Sequence, residues 1–286
     1  MKLSFYTPFV VFGIFILFFA LEKLFPLRKT TAALLARLFI NGGISALTFL
    51  IAMTVVHPAA QKALDWSSNQ PFGLMHLFHW RGGAQFVGGF LLLDLSFYYW
   101  HWLNHKIPWL WRFHNVHHID PDLDVSTGFR FHFGEVLFST VFRVVQVSLI
   151  GVSLPTFVIY ELVFQANTLF QHSNLCLPIR LERALNQLLV TPRMHGIHHS
   201  QLQRETDSNY GVVFPWWDRI HRTLGLNVAQ AEIHIGVPGY ASPEDNKFWR
   251  VLIMPFVKQR DYWRKPEVTI PRTETPATSK RSHLAE

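Results

Sequence analysis

Five apolar segments, nearly free of charge, constrain what this 286-residue chain can fold into more than any other feature. Residues 5–21 (FYTPFVVFGIFILFFAL) hold no charged side chain. At about 1.5 Å per helical residue they reach ~25 Å, near the hydrocarbon thickness of a bilayer. Residues 38–56, 84–103, 134–154 and 155–171 repeat the pattern, the last two broken at Pro155, whose ring cannot continue a helix without a kink. A cleaved leader competes for the first segment. Glu22-Lys23-Leu24-Phe25-Pro26 follows it, however, where small residues would mark a cleavage site, so it reads as a retained anchor. A water-soluble bundle would need more charge: only 16% of residues are charged, against about 25% in ordinary soluble domains.

Basic residues orient the segments. Lys23, Arg28, Lys29 and Arg37 follow the first, only Lys62 and Arg81 follow the second, Lys106, Arg112 and Arg130 follow the third, and fifteen Lys and Arg lie beyond His172. The positive-inside rule places 22–37, 104–133 and 172–286 in the cytoplasm and the N-terminus outside. The fourth and fifth segments read either as two crossings or as a shallow hairpin with both ends inside. The net charge of +7 is read with the apolar content as attraction to anionic headgroups, not to nucleic acid. The single Cys176 excludes a disulfide framework, a four-cysteine zinc site and a protein-held iron–sulfur cluster.

Ten of the sixteen histidines fall between 101 and 199. His101 and His105 form H-x-x-x-H; His114, His117 and His118 form H-x-x-H-H, as do His195, His198 and His199. Helix positions i, i+3 and i+4 share a face, so each box aims its imidazoles at one point. All three boxes fall on the side assigned to the cytoplasm. Neutral imidazole is the commonest metal ligand and suits iron, zinc and copper. Solvated interfacial histidines or a pH sensor are the bland alternatives. Eight packed imidazoles would repel when protonated and stay unpaired when not, and a metal removes both difficulties. Eight ligands exceed the four of one tetrahedral zinc, so two ions are implied. The predicted fold class is all-α: an integral membrane helical bundle with a cytoplasmic, histidine-rich, metal-binding helical cap. Its parts are N-terminal transmembrane helices and a connecting loop (1–83), a histidine-box core with transmembrane helices (84–225), an interfacial C-terminal segment (226–265) and a disordered tail (266–286).

The run Asp94-x-x-x-Tyr98-x-x-His101-x-x-x-His105, Leu110-Trp111-x-x-His114-x-x-His117-His118, then Thr191-Pro192-x-x-His195-x-x-His198-His199 resembles the fatty acid hydroxylase/sterol desaturase superfamily. So do Thr206-Asp207-x-Asn209-Tyr210-Gly211 and Trp217-Asp218-Arg219; the likeness covers about 90 to 225. It implies a membrane di-iron oxygenase that uses dioxygen to hydroxylate or desaturate C–H bonds of fatty acyl, sterol, ether-lipid or carotenoid-like substrates. His172 matches an isolated ligand of the family, with Thr168 where some members have a second histidine. His132, in Arg130-Phe131-His132-Phe133-Gly134-Glu135, matches an R-x-H-P-x-E element with Phe133 in place of Pro, and reads either as a structural residue beside the site or as a ligand. Ile220-His221-Arg222-Thr223 departs from the pattern outside the metal sphere.

The expected ligands are therefore His101, His105, His114, His117, His118, His172, His195, His198 and His199, and the cofactors two iron ions, with zinc a possible substitute in purified protein. Ligating histidines donate their second N–H to a carboxylate or carbonyl. Asp94, inside a span and two turns before His101, is the leading candidate for that role. Asp120, Asp122, Asp124, Glu135 and Asp207 are others, each with a solvated acid or helix cap as the alternative. Asp94, His132 and Asp207 are the candidate catalytic-site residues outside the ligand set. Phe86, Phe90, Phe97, Phe164 and Phe170 line an apolar channel or simply pack. Arg143 and Glu161 are placed to pair, and Trp217-Asp218-Arg219 to fix a turn by a local ion pair. His76 and His79 read as loop histidines on the opposite face. With no G-x-G-x-x-G fingerprint and no haem appendage, electrons must come from a separate donor, a ferredoxin or a cytochrome with its reductase. A zinc lipid hydrolase lacks an H-E-x-x-H glutamate here, and a metal transporter would string ligands toward both faces. The remaining partners are the bilayer and the lipid substrate. The membrane is a bacterial cytoplasmic one, or the endoplasmic reticulum in a eukaryote.

Overall fold

A computed structural model describes residues 2–70, 72–77 and 81–263, with side chains from Pro8 onward. His79 and the tail expected from Pro266 lie outside the described residues. Among the described residues the chain is all-helical, with two isolated β-bridges, Pro26 to Leu175 and Ser200 to Ile235.

Helices cover all five apolar segments. They are α1 (Lys2–Leu24), α2 (Leu34–Ile51) continued through a π-turn (Ala52–Val56) into α3 (His57–Asn69), a single turn α4 (Leu74–Leu77), α5 (Gly82–Lys106), α7 (Phe133–Ile150) and α8 (Leu154–His172). Between α5 and α7 lies α6 (Pro108–His118). The shorter α9 (Ile179–Leu185), α10 (Pro192–His198), α11 (Gln203–Thr206), α12 (Trp216–His221) and α13 (Phe248–Ile253) follow. Among the described residues, two stretches are long and apolar enough to cross a membrane, Leu34–Leu77 and Phe133–Ile150. α5 and α8 carry inward-facing polar groups that lower their hydropathy, among them Asp94, Asn104, Asn167 and Thr168, all buried. The break between α7 and α8 is not a kink at Pro155. Gly151, at φ +73°, caps α7 in the left-handed region, Ser153 caps α8, and Pro155 sits in the first turn of α8, where no N–H is needed.

α1 packs along α8 and α3 along α7; α5 packs against α6, α7 and α8. One core joins Leu93 and Phe97 of α5, Val147 and Ile150 of α7 and Tyr160 of α8, with Phe90 and Phe164 against it. The Phe97 and Phe164 rings meet at 4.6 Å, tilted by 43°, so this pair packs within the core. A second core joins Ile44, Trp111, Val116 and Ile119 to Val237, Tyr240, Val251 and Met254 of the C-terminal segment. Arg143 pairs with Glu161, as the sequence indicates.

Ionic clamps hold the connections. Arg37, 3% exposed, donates to Asp120 at 2.7 and 2.9 Å and to Asp124 and the Asp122 carbonyl. Burial alone would raise the Asp120 carboxyl, but the Arg37 and Arg130 guanidiniums hold it at about 2. Asp122 caps the turn into α2 by accepting from Thr31 and Ala32 N–H, and Asp124 opens the short helix Val125–Phe129 with a capping box. Glu22 receives the N–H groups of Val125 and Asn174, tying α1 to the segments after α6 and α8.

Candidate metal centre

Four helices deliver the eight boxed histidines and His172. α5 carries His101 and His105 one turn apart, and the chain then turns at Ile107 so that Pro108 starts α6. α6 presents His114, His117 and His118; α8 ends on His172; α10 starts at Pro192 and presents His195 and His198, with His199 as its cap. The ring nitrogens collect into two groups, each with its ligand atoms within 4.8 Å of one another: His101, His105, His114, His118 and His198, then His117, His172, His195 and His199. The groups adjoin, the His118 and His199 rings stacking at 4.3 Å. Seven of the nine residues are buried, and His101 and His105 are partly so.

The donor set fits a cation in both groups. In the first, Nε2 of His105, His114, His118 and His198 is buried with no hydrogen-bond partner among the described residues. In the second, the Nε2 of His172 lies 3.0 Å from those of His117 and His195, and the Nε2 of His195 lies 3.1 Å from that of His199. His172 commits its Nδ1–H to the Thr168 carbonyl at 2.7 Å, so its Nε2 carries a lone pair toward this cluster. A cation would compensate lone pairs crowded this way. Burial, then repulsion from neighbouring imidazoles, holds His117, His118, His195 and His199 well below the ordinary histidine pKa, and burial pushes His198 down to about 3. The rings are thus neutral near pH 7, the form that ligates.

Acceptors behind the rings fix which nitrogen faces the centre. His114 Nδ1 donates to Glu135 Oε1 at 2.8 Å, His101 Nδ1 to the Tyr210 carbonyl at 2.9 Å and His198 Nδ1 to the Ser208 carbonyl at 2.6 Å. The segment Thr206–Gly211 is therefore a ledge of backbone acceptors. Asn209, at φ +57°, turns it, and its side-chain amide bonds the Met194 and Gly225 carbonyls. Asp218 takes the N–H groups of Tyr210 and Gly211, both at 2.8 Å, and the Thr223 hydroxyl. Burial raises the Asp218 carboxyl to about 6 against the pull of those donors.

Four expectations need correction. Asp94 does not orient His101. Its oxygens accept from Val213 and Phe214 N–H, Trp217 Nε1–H at 2.8 Å and the Tyr160 hydroxyl, which ties α5 to the 213–217 loop. His132 stands outside both groups: its Nδ1 accepts from Gly134 N–H to cap α7, and its Nε2 donates to the Leu252 carbonyl. Asp218 and Arg219 serve different partners, Arg219 bonding the Asn186 and Gln187 carbonyls. Asp207 touches no boxed ring; it pairs with Lys106 at 2.9 Å and accepts the Tyr210 hydroxyl. Of the acids considered, Glu135 is the one hydrogen-bonded to a boxed histidine. Sequence reasoning missed the Tyr210, Ser208 and Thr168 carbonyls, since a backbone acceptor leaves no residue signature.

The fatty acid hydroxylase model matches residues 86–223, the stretch that carries all three boxes and His172. The chain also matches parts of longer proteins. The chain is 31% identical over 186 residues to ornithine lipid hydroxylase OlsE of Rhizobium tropici, covering 64% of this chain and 53% of that one. It is 28% identical over 159 residues to alkylglycerol monooxygenase of Homo sapiens (56% and 34%), and 28% over 179 residues to cholesterol 25-hydroxylase of Homo sapiens (62% and 61%). The matches thus span between about a third and three-fifths of these relatives. No solved structure matches the chain.

Proposed function

We propose that the protein is a membrane-embedded lipid oxygenase that hydroxylates or desaturates a C–H bond with dioxygen as co-substrate. The observation that carries this reading is the convergence of nine imidazoles from four helices into two adjoining clusters, with four Nε2 atoms of the first that have no hydrogen-bond partner among the described residues. His101, His105, His114, His118 and His198 would hold one iron; His117, His172, His195 and His199 would hold the second. Zinc suits the same imidazoles and can replace iron in purified material. Two bound irons supply the redox chemistry needed to attack an unactivated C–H bond with dioxygen.

The chain's own residues position and enclose. Glu135 and the Tyr210, Ser208 and Thr168 carbonyls hold the Nδ1 protons of four ligands and so fix ring orientation. Val116, Met194 and Ile197, apolar residues of the box helices α6 and α10, are each at most 2% exposed, so the helices that carry the ligands are packed against apolar surroundings that exclude water. We assign α1, α2, α5, α7 and α8 as bilayer crossings, with the histidines at the cytoplasmic side and the N-terminus outside, in a bacterial cytoplasmic membrane. The row Leu137, Val141, Val145 and Leu149, exposed along one face of α7, supports contact with lipid tails, as do exposed Phe9, Phe12 and Ile16 of α1. The relatives named as ornithine lipid, alkylglycerol and cholesterol enzymes support a lipid substrate that enters from the bilayer. Electrons come from a separate acidic donor, a ferredoxin or a cytochrome with its reductase, drawn to the basic cytoplasmic surface.

The test is lipid mass spectrometry with the iron-loaded protein in nanodiscs, a reductant and isotopically labelled dioxygen. A new hydroxyl carrying the label, or a new double bond formed only when dioxygen and reductant are consumed, is expected. Turnover without dioxygen refutes the reading and leaves a hydrolase.

A further inference from the structure

A cavity of about 220 Å³ lies directly behind the histidine boxes. Its wall includes Ile119, the residue after His118, and Gln201, two residues beyond His199. Gly236 closes one side, its N–H bonded to the His199 carbonyl at 3.1 Å. The opposite side is cationic: Arg28 and Lys29, from the connection that leaves α1, line the cavity with Thr31 and His234. Arg28 lies against Gly196 of the third box, where any side chain would collide with its Nη2, and that Nη2 donates to the Pro192 carbonyl at 2.9 Å. Its Nε and Nη1 are buried with no hydrogen-bond partner among the described residues. Lys29 is exposed. The one acid on the wall, Asp122, already accepts from Thr31 N–H and hydroxyl and from Ala32 N–H. Glu182, near Arg28, is paired with Arg193 at 2.7 Å. With Arg28 and Lys29 set against Asp122, the wall carries a net positive charge.

We propose that this cavity binds the oxyanion of a lipid headgroup, a phosphate or a carboxylate, and so anchors the substrate beside the metal centre. The assignment rests on the oxygenase reading above. Size and place favour a headgroup. The volume falls below the ~300–1,000 Å³ that whole drug-sized ligands fill, so it takes a polar head and leaves the chains outside. Arg28 and Lys29 follow directly on the exposed apolar end of α1, Leu24 at 70% and Phe25 at 57%, which sets them at headgroup depth. Desolvation in a half-closed cavity strengthens cation–oxyanion attraction relative to open water.

The test uses the iron-loaded full chain in an uncharged detergent, with binding read by calorimetry and by the shift in unfolding temperature. The probes are dihexanoyl phosphatidic acid, dihexanoylglycerol as the neutral control, and inorganic phosphate. Saturable binding of the phosphatidic acid, absent for the neutral lipid, is expected. Lys29→Glu should weaken it by about tenfold or more through charge reversal, at unchanged metal content. Arg28→Gln should do the same; if it fails to fold, the exposed Lys29→Glu variant decides alone. Equal binding of the two short-chain lipids, or phosphatidic acid binding untouched by Lys29→Glu, overturns the proposal. Inorganic phosphate binding as tightly as the lipid makes this a site for free oxyanions and overturns the headgroup assignment. Binding is read without turnover. Intact binding with no oxygenated product therefore sinks the oxygenase reading and spares the site, and the converse result does the opposite.

Discussion

Glu135 offers a way to weaken the proposed metal centre without touching a ligand. Its Oε1 receives the His114 Nδ1–H at 2.8 Å, and its side chain is only 7% exposed, so the bond is shielded from water and salt. A hydrogen bond to a charged group contributes about 1.5–3 kcal/mol. At tenfold per ~1.4 kcal/mol, Glu135→Ala should cost the five-histidine group about 10- to 100-fold in metal affinity, the range typical of such outer partners. Glu135→Gln keeps an acceptor oxygen and loses only the charge, so its loss should stay under about tenfold. Glu135 also stands in the first turn of α7, where a carboxylate adds about 0.3–1 kcal/mol to the helix. That loss is common to both variants and shows as a lower unfolding temperature of the metal-free protein, which separates fold from affinity. The assay is equilibrium dialysis against buffered iron(II), anaerobically, followed by elemental analysis. At intermediate free metal, Glu135→Ala should retain the ion of the four-histidine group and lose the other. Wild-type affinity for both ions in Glu135→Ala would refute the reasoning.

Four further outcomes follow from the geometry. His117→Ala or His198→Ala, one from each group, should abolish turnover and lower bound metal; normal turnover in either counts against the ligand assignment. Asp94→Asn should lower thermal stability by about 1–3 kcal/mol, because a carboxylate serving four donors is replaced by an amide that can serve only some of them. Its metal content should be unchanged, and a metal loss like that of His198→Ala would tie Asp94 to the ligands after all. Arg37→Leu strips buried Asp124 of its ion pair and leaves buried Asp120 with Arg130 at 3.9 Å, and should cost about 3–5 kcal/mol, read by thermal unfolding; a loss under about 1 kcal/mol would mean the clamp contributes little. For the metal-stripped protein, the folded pKa of His198 (about 3) lies below the unfolded value, so the unfolded chain binds more protons as acid is added. Stability should fall from about pH 6.5 down to the folded pKa, by up to about 1.4 kcal/mol per pH unit for each such histidine; an unfolding temperature flat from pH 7 to pH 5 would contradict it.

What was legible in the sequence was what a helix repeats. H-x-x-x-H and H-x-x-H-H are spacings of one helical face, so the boxes indicated shared direction before any fold was known, and the structure collects those eight residues together with His172, which the family resemblance supplied. What was not legible depends on how helices rotate and where loops return. Asp94 lies two turns before His101 and looks like its partner, but the 213–217 loop, over a hundred residues away in sequence, returns to take both of its oxygens. His132 is two residues from its own cap acceptance and 120 from the Leu252 carbonyl; only the second fact removes it from the site, and only the fold contains it. Asp120 and Asp124 read as solvated acids or caps because Arg37, their counter-charge, sits more than eighty residues earlier.

Those distant contacts have a common logic. Packing neutral imidazoles with their lone pairs together destabilises a fold until a metal binds, so the boxes cannot hold themselves in place. The stabilising contacts lie one step outward, where carboxylates gather the loops that lead into each box. Asp120 and Asp124 fix the exit from α6 through Arg37, Glu22 fixes the exit from α8 through Asn174 N–H, and Asp218 fixes the ledge that faces His101 and His198. A scaffold assembled from these clamps has its rings oriented before metal arrives, so binding need not order the loops as well. The division of labour predicts opposite signatures: changes in the clamps lower stability and leave metal stoichiometry intact, whereas changes in the boxes remove metal and, by relieving lone-pair crowding, leave the metal-free fold as stable or more so. A metal-free His195→Ala variant that unfolds more easily than the metal-free parent would show that the boxes themselves hold the fold, and this account would fail.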